Sequence, residues 1–256
     1  MDLPLLWHIP LSHFNEKVRW ALDYKGIAHR RRTLGAGYLI RAWRATEQGK
    51  LPILWLEGQA ISDSTRIIAA LEQRQPEPPL YPRDAQAREQ ALALEDDLDE
   101  TLGPALRAAC VTPLFRHDPD LALRLLTTGM EENYRKLRPI VRLFPSYYRM
   151  RHRIRDDRLE ADRATVAAAL ERIEQRRQGR DYLVGDAFSV ADLTAAALLS
   201  PLLQPPEMQY PARIEWPPCL SGYRDALLRH PAAQWAAGIY RRHRGSSAEV
   251  PLPRAA

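Results

Sequence analysis

Residues 51–72 read LPILWLEGQAISDSTRIIAALE, and the fold turns on how this stretch is parsed. Residues 51–57 are a short apolar run of strand length, with Pro52 at its start, a position that a strand tolerates. Gly58 and Gln59 make a turn, and Ala60 and Ile61 bring the chain back as a tight hairpin. From Ser62 the period changes. Ile67, Ile68 and Leu71 fall on one face of a helix over 62–73.

Upstream, residues 3–9 are another apolar run, closed by Pro10, and read as a buried strand. SHFNEKVRWALDYKG then occupies 12–26, with Ser12 at a helix N-cap and Gly26 as the C-terminal stop. Phe14, Val18, Ala21 and Leu22 lie at i, i+4, i+7 and i+8, one face of that helix. Residues 28–34 form a second strand, placed at an edge because 29–32 are so polar. Residues 35–48 read as a loop with one helical turn. The order over the first 75 or so residues is β-α-β-(α)-β-β-α.

Downstream the character changes. QPEPPLYPRD, residues 75–84, has four prolines and no periodicity, the signature of a linker. Beyond it no strand pattern recurs. Helices are predicted over 85–102, 120–142, 158–178 and 190–203, with two closing helices over 220–229 and 232–242 after a proline-rich loop. The fold class is therefore α/β followed by all-α: a small domain over 1–75, a linker over 76–84, a helical domain over 85–244 and a loose tail over 245–256.

Composition narrows the classes. The chain has 256 residues and no run of about 18 uncharged apolar residues, so no membrane-spanning helix is expected. Its start lacks a basic region and a small-residue cleavage site, so no secretory signal is expected. Cys110 and Cys219 are far apart, which argues against a disulfide scaffold and places the chain in a reducing cytoplasm. The seven histidines show no ligand spacing, so no metal is expected. The net charge of +5 comes with an arginine-rich composition and says little about partners.

Three stretches in register, SHFNEKVRWALDYKGI, LPILWLEGQAISDSTRIIAALE and YLVGDAFSVADLTAAALL, resemble the soluble glutathione S-transferases, in a bacterial-like, serine-type form. The likeness runs from about residue 3 to 242. It implies a thioredoxin-like, glutathione-binding first domain and glutathione as co-substrate. It places the Ser12 hydroxyl toward the glutathione sulfur. A thiol titrates at roughly 8.5 and reacts as the thiolate. A charge-assisted hydrogen bond of roughly 1.5–3 kcal/mol lowers that value by about one to two units. Helix capping by Ser12 is compatible with this role. Asn15, where related bacterial sequences often carry cysteine, is the alternative donor. The lack of cysteine at either place argues against glutaredoxin-like disulfide chemistry.

The resemblance also implies that the Leu51–Pro52 bond is cis, with the Leu51 backbone pairing the cysteine backbone of the tripeptide. Lys50 either meets the glycine carboxylate or is a solvated lysine. Asp63 and Ser64 would hold the γ-glutamyl end, the carboxylate taking the ammonium and the hydroxyl and helix start taking the carboxylate. Ser189 and Asp192, with Phe188 and Leu193 as staple, read as a purely structural capping box. Phe14, Phe115, Tyr134, Tyr147 and Tyr148, with Asn15, are candidates for a second pocket that receives an apolar electrophile. The basic run 135–156 reads as a solvated helix face, as an entrance attracting an acidic co-substrate, or as a nucleic-acid stripe. Nucleic acid is not expected as a partner. The function implied is a detoxifying glutathione transferase acting as a homodimer. Its two-fold contact would lie along 89–102, where Glu95, Asp96 and Asp97 would face basic groups across the axis. The alternative is a non-catalytic binding module on the same fold.

Overall fold

The computed structural model describes residues 3–35, 37–211 and 215–252. The hairpin forms β3 (Ile53–Leu56) and β4 (Gln59–Ser62), with its turn one residue earlier than expected. Glu57 and Gly58 are the turn residues, with φ of 52° and 82°, the pairing that matches strand twist in two-residue hairpins. β1 (Leu5–His8) lies beside β3, and β2 (Arg30–Thr33) takes the edge, in the order β2-β1-β3-β4. β1 runs parallel to β2 and antiparallel to β3, with Leu6 opposite Arg31 on one side and Leu54 on the other. The right of way between β1 and β2 belongs to α1 (His13–Tyr24), and α3 (Ser64–Arg74) follows β4. The segment expected to hold one helical turn is a nine-residue helix, α2 (Tyr38–Thr46).

The second part is wholly helical. α4 (Ala85–Glu100), α5 (Leu102–His117), α6 (Pro119–Leu126), α7 (Glu131–Leu137) and α8 (Phe144–His152) are followed by α9 (Leu159–Arg177), α10 (Val190–Leu203), α11 (Pro218–Leu228) and α12 (Pro231–His243). The single helix predicted over 120–142 is divided. Gly129, at φ 71°, ends the turn after α6, and Pro139 converts the end of α7 into a 3-10 turn. α5 was hidden by Gly103, Pro104 and Pro113. Pro104 falls in the first turn, where a missing N–H is harmless, and packing on both sides carries the helix through Pro113. Residues 212–214 of the expected proline-rich loop lie outside the described residues.

α10 is the central post. Its side chains are buried almost throughout, and α1 packs along it. Asp192 closes its N-terminus as expected: Oδ2 accepts from the Ser189 amide at 2.9 Å, and Oδ1 from the Leu183 amide at 2.8 Å. Burial nevertheless raises its carboxyl pKa to about 6.

α1 is not half-solvated, as its amphipathic period suggests. Glu16, Lys17, Arg19 and Asp23 on its polar face are all buried. Lys17 meets Glu95 at 2.7 Å and Asp99 at 2.5 Å on α4. Glu16 pairs with Arg19 and Arg244, and Asp23 with Arg31 and Arg244. This network corrects two expectations. Glu95 is buried inside its own chain and cannot face a partner across an axis. The tail is docked through residue 250: Asp23 Oδ1 accepts from the Ala248 amide at 2.9 Å, and His29 bonds to Ala248 and Val250 through its backbone. Residues 253–256 of the expected tail lie outside the described residues. The polarity of 29–32 thus serves a buried ion cluster as well as an edge.

Candidate active site

Between the two parts lies a cavity of about 1290 Å³. Its sheet-side wall is made where strands end and helices begin. Ser12 stands at the N-terminus of α1, Leu51 and Pro52 precede β3 across a cis peptide, and Asp63 and Ser64 open α3. All five line the cavity, as do Lys50 and Asn15.

Ser12 occupies the N-cap position of α1, but its side chain does not cap the helix. Asn15 explains why. Its Oδ1 accepts from the Ile9 amide at 3.2 Å, which fixes the orientation of its own amide group. Its Nδ2 then donates to Ser12 Oγ at 2.7 Å. A hydroxyl that accepts in this way keeps its own proton for another acceptor. The first-turn amides of α1, uncapped by Ser12, add the positive end of a helix dipole to the same wall.

Asp63 sits at φ 79°, in the left-handed region, and its Oδ1 accepts from the Thr65 and Arg66 amides at 3.0 and 3.3 Å. Backbone held there costs on the order of 1–3 kcal/mol and is found preferentially at functional sites. Ser64 beside it is buried. Asp99 of α4 also lines this end, held by Lys17 and by the Thr65 hydroxyl at 3.1 Å. Its Oδ1 has no partner among the described residues, and burial raises its pKa.

The opposite wall is helical and mostly apolar. Phe14 leans on α5 so closely that a Cβ on Gly103 would approach its ring to 2.5 Å. Tyr147 and Tyr148 of α8 line the cavity, together with Leu143 and Phe144. Two second-pocket candidates do not. Phe115 is buried in a separate core between Phe144 and Tyr148, under Arg149. Tyr134 is turned to α6, where its hydroxyl donates to Asp120 at 2.9 Å. Aromatic type marked these residues, and helix breaks that the sequence pattern did not reveal turned them away. From the basic run 135–156, Leu137, Ile140, Leu143, Phe144, Tyr147 and Tyr148 line the cavity, as do Arg151, His152 and Arg153.

Arg107 and Arg151 of the wall were not singled out from the sequence, whereas His13 is seen there to flank the site. Arg107 of α5 lies 5.5 Å over the Phe14 ring and 3.3 Å from His152 Nδ1. Arg151 hydrogen-bonds the Gly49 carbonyl. His13 is buried with Nε2 unpartnered among the described residues, and burial and then Arg107 push its pKa well down. No sequence signal marked Arg107, because the helix that carries it was itself obscured. No group of three or more His, Cys, Asp or Glu among the described residues is arranged to hold a metal. No helix among them is long and apolar enough to cross a membrane.

The N-terminal domain model of the glutathione S-transferases matches residues 6–79, and the C-terminal domain model matches residues 156–226. The protein LigF of Sphingobium sp. strain SYK-6 is 26% identical, over 62% of this chain and 61% of LigF; the matched part thus spans less than two thirds of that relative. The crystal structure of the beta-etherase LigF from that organism superposes at a TM-score of 0.59, with 20% identity, over 92% of this chain and 98% of LigF. A glutathione S-transferase from Methylobacillus flagellatus, solved with glutathione bound, gives 0.57 and 21%, over 91% and 98%. Poplar glutathione transferase F1 gives 0.63 and 15%, over 95% of each chain. These three share the fold. With one family model on each side of the proline-rich segment, in the order the architecture requires, the chain belongs to the glutathione S-transferase family.

Proposed function

We propose that this chain is a glutathione transferase that binds the tripeptide along the sheet-side wall and uses the Ser12 hydroxyl to hold its sulfur as a thiolate. The observation that carries this reading is the Asn15–Ser12 hydrogen bond, which leaves the Ser12 proton free at a helix N-terminus facing the cavity. Ser12 is then the donor to sulfur, and Asn15 is a positioning residue. Leu51 offers its backbone to the cysteine of glutathione, and Lys50 meets the glycine carboxylate. Ser64 takes the γ-glutamyl carboxylate, while Asp63 and Asp99 supply negative charge for the ammonium.

The thiolate attacks an electrophilic carbon held against the helical wall. A C–S bond forms from the sulfur lone pair, and the leaving group departs with the electron pair of the broken bond. The beta-etherase among the relatives suggests an aryl ether as one such electrophile, with an aryloxide leaving. The cavity volume accommodates an aromatic group beside the tripeptide. A homodimer is part of this reading, on family grounds. Its interface does not use Glu95, which is buried beside Lys17.

Two assays test the proposal in sequence. The pure protein should be retained on immobilised glutathione and elute with free glutathione. It should then conjugate glutathione to a standard aromatic halide. Retention without turnover favours the binding module, and no retention contradicts the transferase.

A further inference from the structure

The helical wall carries a charge pattern that an apolar electrophile does not need. Among the described residues the fully buried cations are Lys17, Arg19, Lys25, Arg31 and Arg244, and each has a carboxylate partner within 2.9 Å. Arg107 and Arg151, half-buried in the cavity wall, form no ion pair among the described residues. Between them stands His152, whose ring nitrogen meets Arg107 at 3.3 Å. Its pKa is lowered to about 3 by burial, by Arg107 and by Arg151, so it is neutral and adds no charge of its own. Arg151 Nε is buried with no partner among the described residues. Tyr38, also on the wall, has its phenol pKa raised by burial, against the opposing charge and hydrogen bond of Arg151. The carboxylates that line the cavity, Asp63, Asp99 and Glu100, make no ion pair with either arginine. Among the described residues every fully buried cation is neutralised, whereas the cavity wall holds two half-buried arginines with no carboxylate partner. Such a site favours an anion by charge-assisted hydrogen bonds.

We infer that the electrophile this cavity selects is an aromatic compound bearing a carboxylate, with the ring on the apolar wall beside Phe14 and the acid group on Arg107, supported by Arg151. Arg107 is a specificity-determining residue in this inference. The inference rests on the reading of the cavity as the electrophile's site, and it is tested without turnover.

Naphthoate and its neutral isostere naphthamide are titrated against the full chain by calorimetry, and glutathione is titrated separately. In the wild type naphthoate should bind about tenfold or more tighter than naphthamide. Added salt should narrow that gap by weakening naphthoate alone. Arg107→Met should remove most of the naphthoate preference and leave naphthamide and glutathione unchanged. Equal affinities in the wild type would overturn the inference, whether or not the variant folds. So would an undiminished gap in a folded Arg107→Met. A loss of glutathione affinity matching the loss for naphthoate would also overturn it, because the arginine would then serve a carboxylate of glutathione itself. A chain that shows the naphthoate preference and binds no glutathione would uphold the anion site and remove the transferase reading.

Discussion

At the scale of single residues, the site depends on which way protons point. Asn15 is tied to the Ile9 amide, so its Nδ2 must donate to Ser12, and the serine proton is directed elsewhere. The sequence placed both residues at the site and left the donor open between them. The proposal of Ser12 rests on a bond from an amide six positions earlier, which no local pattern encodes. Asp63 and Ser64 were legible as the start of a helix after a hairpin, a local pattern, and both line the cavity; their binding role was implied by the resemblance. Ser64→Ala should weaken glutathione affinity by about 1–3 kcal/mol by calorimetry, while the ionisation of bound thiol stays unchanged. Unchanged affinity would remove Ser64 from the γ-glutamyl end.

At the scale of elements, the apolar runs of β1 and β3 and the apolar periods of α1 and α3 were readable because each buries its apolar side chains in one core. The period of α1 hid the fate of its other face. That face is buried by α4, α10 and the chain's tail, all distant in sequence, and its charges find partners there. The tail lacks apolar period because Arg244 docks it by charge, with bonds of 2.8 Å to Glu16 and 2.9 Å to Asp23. Arg244→Met should destabilise the fold by about 3 kcal/mol in urea unfolding. The low end of the range for breaking a buried pair applies because each carboxylate retains a second arginine, Arg19 or Arg31. No change in the unfolding midpoint would show that the tail is only a surface decoration.

At the scale of the whole molecule, the buried titratable groups set the pH response. His29 is fully buried with a pKa lowered to about 4, by desolvation first. A base with a lowered folded pKa contributes stability above its unfolded value of roughly 6.5, and that contribution falls as the pH drops toward the folded value. At pH 5 the cost for His29 is on the order of 2 kcal/mol. His8, His13 and His152 are shifted in the same direction. Asp192, with its pKa raised to about 6, acts oppositely: its buried acid form is favoured as the pH falls, a gain of about 1 kcal/mol at pH 5 relative to neutrality. Glu95 and Asp99 share the direction of Asp192. The histidines begin to act above pH 6, where the acids have so far returned little. Stability should therefore be lower at pH 5 than at pH 7. A urea midpoint that rises on acidification would reverse the balance. In sedimentation at micromolar concentration the chain should run at twice its mass, and a monomer would contradict the dimer.

In the proposed site one hydroxyl, aimed by an asparagine at a helix N-terminus, holds the thiolate, and Ser12→Gly removes that hydroxyl alone. Glycine is a tolerated N-cap, and the Ser12 side chain caps nothing, so the melting temperature should hardly move. Thiolate absorbance is followed against pH with glutathione saturating, for wild type and variant. The bound thiol pKa should rise by about one to two units on substitution, and it should stay below that of free glutathione because the helix N-terminus remains. Coincident titration curves would contradict the account.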